Sequence, residues 1–214
     1  MIILRFLSRR LRAVACVGLL IAGAATAPAP HASLHSILVL GDSISAAYGM
    51  SLEEGWVALL QNRLKAGEDS YHVVNASISG DTSGGGLRRL PALLTTHSPR
   101  IVIIELGGND GLRGYPVNQL TQNLREMIRL TEASGAIPII LPMEIPPNLG
   151  KVYTDAFRNS FAQATKDTRA LLGQFPLESV ALNRSLMQAD GIHPTVEAQP
   201  LILESVWQVL EPVL

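Results

Sequence analysis

The chain of 214 residues has the length of one domain, and its 47% hydrophobic and 16% charged residues supply a core and exclude a disordered chain. Seventeen basic residues against eighteen acidic ones, without Lys/Arg clusters in the body of the chain, argue against nucleic-acid binding. The one cysteine, Cys16, sits in the N-terminal segment, so the remainder carries no disulfide and no thiolate metal site.

That N-terminal segment reads as a secretory signal. Met1 to Arg12 holds Arg5, Arg9, Arg10 and Arg12 and no acid, and Ala13 to Ala25 is apolar and too short for an ordinary membrane span. It also inflates the mean hydropathy, +0.25 for the whole chain. Ala22-Gly23-Ala24 is the expected cleavage site, giving a signal peptide over 1–25, a linker over 26–36 and one domain over 37–214. Ser8-Arg9-Arg10 hints at a twin-arginine signal, although Leu11-Arg12 follows where apolar residues belong. Cys16 stands near the start of the apolar run, whereas a lipoprotein needs it at the end. Cleavage leaves 13 basic against 18 acidic residues, a formal charge of −5. A periplasmic or secreted monomer without stable membrane insertion is expected.

Ile37-Leu-Val-Leu40 is an unbroken apolar run ending in Gly41-Asp42-Ser43, the pattern of a strand buried on both faces. Ser43 would then lie where the strand ends and a helix begins, at the ligand-binding edge of an open sheet; the plainer reading is that Asp42 and Ser43 only cap that helix. Glu53 to Ala66 is helical, with Trp56, Leu59, Leu60 and Leu64 in phase and Gly67 closing it. Tyr71 to Ala76 is a second strand leading into Ser79-Gly80-Asp81-Thr82. Leu87 to Thr96 is a helix entered through Gly84-Gly85-Gly86. Ile101 to Leu106 is a third strand, ending in Gly107-Gly108-Asn109-Asp110. Val117 to Ala133 is a helix with Leu120, Leu124, Met127 and Ile128 on one face, and Ile137 to Leu141 is a fourth strand. A long helix is expected to about Leu172, a fifth strand over Pro176 to Val180, and a last helix over Val196 to Leu210. The alternation implies a three-layer α/β/α sandwich around a doubly wound, about five-stranded parallel sheet.

Parallel strands bring these glycine-containing loops to one edge, and the loop before the last helix adds Asp190-Gly-Ile-His193-Pro194. Together they supply what acyl transfer needs: a nucleophile, an oriented base and oxyanion donors. The Asp190–His193 spacing lets the carboxylate reach Nδ1–H and leaves Nε2 free to face Ser43, and Pro194 keeps His193 out of the helix. Ser43 N–H, Gly80 N–H and the Asn109 amide can surround a developing oxyanion, where a carboxylate in place of Asn109 would repel it. Each loop alone also reads as an ordinary helix entry or tight turn. Glycines in Gly111-Leu-Arg-Gly-Tyr-Pro116 suggest a mobile flap over an acyl chain, formed by Gly111, Leu112 and Tyr115.

Gly41-Asp42-Ser43, Gly80 after Asn75-Ala-Ser-Ile-Ser79, Gly107-Gly108-Asn109-Asp110 and Asp190 to Pro194 together resemble the four blocks of the GDSL/SGNH hydrolases, in order, over about Ile37 to Pro212. Val74 to Thr82 and Glu105 to Gly114 resemble its bacterial periplasmic branch of multifunctional acyl-CoA thioesterases, lysophospholipases and arylesterases. The resemblance implies an SGNH-type, flavodoxin-like fold and an acyl-enzyme on Ser43. It makes His193 the general base and acid with Asp190 orienting it, Ser43, Gly80 and Asn109 the oxyanion hole, and Asp42 and Asp110 supports behind the site. Acyl esters, thioesters and lysophospholipids are the implied substrates, with no cofactor and no metal. The loop Pro142 to Gly150 borders the acyl groove in relatives, which puts Ile145 and Pro146 against substrate; Glu144 departs from the family there. Two alternatives stay open, a carbohydrate O-acetylesterase with the same triad and a non-catalytic binding protein on this scaffold. The second should have lost one of Ser43, Asn109, Asp190 or His193. A nucleophile elbow, a P-loop and a dinucleotide fingerprint are all absent.

Overall fold

The computed structural model describes residues 35–67 and 71–214, so the expected signal peptide and all but the last two residues of the linker lie outside the described residues. Five parallel strands stand in the order β2-β1-β3-β4-β5: β1 (His35–Gly41), β2 (Tyr71–Asn75), β3 (Ile101–Glu105), β4 (Ile137–Ile140) and β5 (Leu171–Leu172). Ile37 to Leu40 and Ile101 to Ile104 are all fully buried, as continuous apolar runs require when both faces of a sheet are covered. Their register runs from Ile37 opposite Ile101 to Gly41 opposite Glu105, so β1 and β3 end level with each other.

Helices α1 (Trp56–Ala66) and α6 (Gln199–Leu210) pack together, while α2 (Ser83–His97), α4 (Val117–Ala133) and α5 (Lys151–Thr165) pack side by side as a second set. A short helix, α3 (Gly108–Leu112), leaves β3 directly. The expected stripe of α4 is the buried one, with Leu120, Leu124, Met127 and Ile128 joined by Thr131. From β1 the chain steps outward to β2 and then crosses back to β3. The β1/β3 boundary is therefore the topological switch point, where an open α/β sheet leaves a crevice.

Four local expectations are corrected. No helix follows Ser43: the chain over 42–50 is a set of turns, because Ala47 adopts φ +56° and Gly49 φ +78°, left-handed values that stop a right-handed helix. The fifth strand is Leu171–Leu172 and not Pro176 to Val180, which forms turns; a two-residue strand is too short to leave a period in sequence. Helix α5 accordingly ends at Thr165, and Asp167 at φ +61° turns the chain toward β5. Helix α2 begins at Ser83 and takes in all three glycines, where Gly86 lets the helix lie against Leu106 and Leu40 without room for a Cβ.

Candidate active site

Ser43 is buried at the end of β1, inside a turn that its neighbour builds. Asp42 Oδ1 accepts the Ile44 N–H at 3.1 Å, the Asp42 carbonyl accepts the Ala46 N–H at 2.9 Å, and the Ser43 carbonyl accepts the Tyr48 N–H at 3.2 Å. A short polar side chain that bonds to the backbone two residues on is what gives Asp its preference for such turns.

His193 arrives from a hairpin-like loop. The Gln188 N–H donates to the His193 carbonyl at 2.7 Å, Thr195 N–H donates to the Leu186 carbonyl at 2.8 Å, and Gly191 at φ +68° makes the bend. Inside the loop Asp190 Oδ1 accepts the N–H groups of Ile192 and His193 at 2.9 and 3.0 Å, while Oδ2 lies 2.7 Å from His193 Nδ1. The imidazole hydrogen bond first, and then those two N–H groups, hold the Asp190 carboxyl down at about 2. It is therefore an acceptor at any ordinary pH, so Nδ1 must donate to it. In the neutral ring this leaves Nε2, 2.9 Å from Ser43 Oγ, as the acceptor for the serine proton.

Two residues not singled out from sequence complete this arrangement. The Tyr48 ring lies on the His193 ring, with centroids 4.2 Å apart and planes 31° apart. Gln188 Nε2 donates to the Tyr48 carbonyl at 2.8 Å and to the Pro194 carbonyl at 2.9 Å, tying the serine turn to the histidine loop. An aromatic residue five positions past a candidate serine was a visible signal for Tyr48; nothing marked Gln188.

Asn109 begins its role from α3. Its Nδ2 donates to Asp42 Oδ2 at 3.0 Å, which orients the carboxamide and leaves its second N–H unused. Burial pushes the Asp42 carboxyl up to about 6, against the pull of the Ile44 N–H, the Asn109 amide and His193. Gly80 adopts φ +79°, a left-handed conformation that suits glycine, and its carbonyl accepts from Arg113 at 3.0 Å. Asp110 serves an earlier element: it accepts the Ser83 N–H at 2.8 Å and the Ser83 hydroxyl at 2.6 Å, fastening the start of α2 beside α3.

The residues expected against substrate divide. Leu112, Tyr115 and Pro146 are exposed, but Gly111 and Ile145 are buried and face each other. A Cβ on Gly111 would stand 2.5 Å from Ile145 Cγ2 and 2.7 Å from Phe157, so this glycine serves close packing of α3 and is not a free hinge. The Tyr153 hydroxyl donates to the Tyr115 carbonyl at 2.8 Å, which pins the segment after α3 to α5. Glu144 pairs with Arg158 through two contacts of 2.5 and 2.8 Å, so the departure in this loop is an ion pair to α5.

Residues 39–200 match the model of the GDSL-like lipase/acylhydrolase family. The esterase TesA of Pseudomonas aeruginosa is 51% identical over 184 residues, covering 86% of this chain and 92% of that protein. Thioesterase 1/protease 1/lysophospholipase L1 of Escherichia coli K12 is 44% identical over 183 residues, covering 86% of each. Among solved structures, the psychrotrophic esterase EstA of a Pseudoalteromonas species, inhibited by monoethylphosphonate, superposes with a TM-score of 0.80 at 46% identity, covering 83% of this chain and 97% of that one.

Proposed function

The chain belongs to the GDSL-like lipase/acylhydrolase family, and on that premise we propose that it cleaves carboxylic esters and thioesters through an acyl-enzyme on Ser43. The observation that carries this reading is the relay from Asp190 Oδ2 through both His193 nitrogens to Ser43 Oγ, in steps of 2.7 and 2.9 Å. Ser43 Oγ attacks the acyl carbonyl carbon as its proton passes to His193 Nε2, and Asp190 stabilises the imidazolium that forms. The carbonyl oxygen takes the negative charge and is met by Ser43 N–H, Gly80 N–H and the unused N–H of Asn109. His193 then returns the proton to the departing alcohol or thiol, leaving Ser43 acylated. Water, deprotonated by the same nitrogen, releases the acid and restores the serine.

The acyl part of the substrate is read from the surface around the mouth. Every large apolar side chain exposed among the described residues lies at the carboxyl edge of the sheet: at a strand end, on a loop that leaves one, or in the first turn of the next helix. Tyr48, Ile78, Leu112, Tyr115, Val152 and Ile192 are among them. Clustering of exposed apolar area on one edge supports a substrate with a hydrocarbon tail, such as an acyl thioester or lysophospholipid, over an acetylated sugar. Of the relatives' names, lysophospholipase L1 points to that class, while esterase and arylesterase state ester cleavage without a chain length.

Among the described residues no helix is long and apolar enough to cross a membrane. We propose export to the periplasm or beyond with removal of the N-terminal signal, and action as a monomer, since one chain supplies every group of the relay. The test is a panel of acyl-CoA thioesters and p-nitrophenyl esters from acetyl to long chain. Native protein should turn over medium and long chains faster than acetyl, and Ser43→Ala should turn over none. A preference for acetyl would move the reading to the O-acetylesterase alternative.

A further inference from the structure

Strand β3 reads Ile101-Val-Ile-Ile-Glu105, four buried aliphatic residues followed by a carboxyl group that is fully buried as well. The proposed reaction makes no use of it. Glu105 Oε2 accepts the Ser45 hydroxyl at 2.7 Å and the Asp42 N–H at 3.3 Å, so it grips the chain on both sides of Ser43. The strand that carries it runs on through Gly107 and Gly108 to Asn109. Gly41, its register partner on β1, leaves the space: a Cβ there would stand 2.8 Å from Glu105 Oε2 and 2.7 Å from Ser45 Cβ.

The other oxygen, Oε1, is buried and meets no hydrogen-bond partner among the described residues. An ionised carboxyl with one oxygen bare in the interior is far costlier than a neutral one in the same place. The neighbouring Asp42 has donors on both oxygens, Ile44 N–H on one and the Asn109 amide on the other. Two neighbouring buried carboxyls do not both ionise readily, and the one with more hydrogen-bond donors on its oxygens keeps the charge. Besides each other, the titratable groups acting on the pair are His193 and Asp81, through Asp42, and no cationic group acts on Glu105. Burial and then the Asp42 charge push Glu105 well above the usual carboxylate range.

We propose that Glu105 is a positioning residue that works as a neutral acid: it fastens the Asp42–Ser45 turn to the end of β3, so that Ser43 and the Asn109 amide keep one spacing, and it leaves the pair's negative charge on Asp42 to orient that amide. This rests on the reading of Ser43 as nucleophile and Asn109 as oxyanion donor.

Infrared difference spectra of native protein minus Glu105→Gln at neutral pH give the direct test. A protonated-carboxyl band should be present in the native protein and missing from the variant; carboxylate bands alone would overturn the proposal. In kinetics, Glu105→Gln exchanges one neutral acceptor for another and should keep kcat within about threefold, with an unmoved pH profile. Glu105→Leu, folded by circular dichroism, should lose about 10²-fold in kcat with KM little changed, as expected for displaced reacting groups. A shifted profile for Glu105→Gln, or native kcat for Glu105→Leu, would also overturn it. Should the leucine variant not fold, Ser45→Ala removes one of the two grips. That variant should lower kcat about tenfold, the worth of one good hydrogen bond, and shift the native infrared band, whereas an unchanged kcat and band would contradict the role. The infrared band does not depend on which residue is acylated, so loss of the Ser43 reading and loss of this one are separate outcomes.

Discussion

Asn109 and Asp42 form the pair on which the site's electrostatics turn. One amide N–H is held by Asp42 at 3.0 Å and the other makes no hydrogen bond among the described residues, which suits the oxyanion role proposed for it. Asn109→Ala should therefore lower kcat by roughly 10²–10³ with much less change in KM, because the donor acts in the transition state. A change confined to KM, measured with a p-nitrophenyl ester, would make Asn109 a binding residue only. Asp42 itself is costly to keep charged. Its carboxyl rises from an ordinary 3.8 to about 6 on burial, so folding favours its protonated form. The stability this contributes is present below about pH 4 and disappears as pH rises through about 6. Asp42→Asn removes the charged state, so its melting temperature relative to native protein should be higher at pH 8 than at pH 4, by an amount equivalent to no more than about 3 kcal/mol. The same variant should lose kcat, since asparagine offers one acceptor oxygen to the two donors that Asp42 takes, the Ile44 N–H and the Asn109 amide. Equal thermal shifts at both pH values would show that Asp42 does not carry the burial cost. Calorimetry at the two pH values measures this directly.

At the scale of elements, α3 explains why the two glycines after Asn109 behave differently. Gly111 is packed under Ile145 and Phe157, whereas Gly114, at φ +67°, has open space around it. Gly111→Ala should overpack α3, cost about 1–3 kcal/mol of stability and lower kcat for acetyl and long-chain substrates alike. Gly114→Ala should cost about 1–2 kcal/mol through its left-handed backbone and leave kcat nearly intact. Selective loss of long-chain turnover in Gly111→Ala would restore the picture of a chain-reading flap. Much of this element pattern was legible in the chain. Ile37 to Leu40 and Ile101 to Ile104 are long enough to announce buried strands, and α4 shows its apolar stripe over 17 residues. What stayed hidden depended on backbone or on distant partners. The positive φ at Ala47 has no residue signature, β5 is two residues long, and Gly111 reads as flexible until Ile145 is placed against it. Ser43 and Asn109 were legible because each sits in a short polar block after an apolar run, and Asp190 and His193 because they share one loop with Gly191 and Pro194 before the last helix. Glu105 was not, since its partners Asp42 and Ser45 come from another strand.

Across the whole molecule the sheet order sets everything else. Because β1 and β3 are neighbours with level ends, Ser43 and Asn109 stand side by side at the switch point, and the loop before α6 delivers His193 to them from far along the chain. The same edge carries the exposed apolar side chains, so the Ser43–His193 pair and the exposed apolar residues share one edge of the sheet. If the first residues are a cleaved signal, sequencing of exported protein should begin near Ala25, and an intact Met1 in a membrane fraction would contradict that. The most direct test of the account is mass spectrometry of the protein after reaction with an ethyl p-nitrophenyl phosphonate. One phosphonyl adduct should form, on the peptide that contains Ser43, and activity should fall in proportion to its occupancy. An adduct on any other residue, or full activity with Ser43 modified, would contradict it.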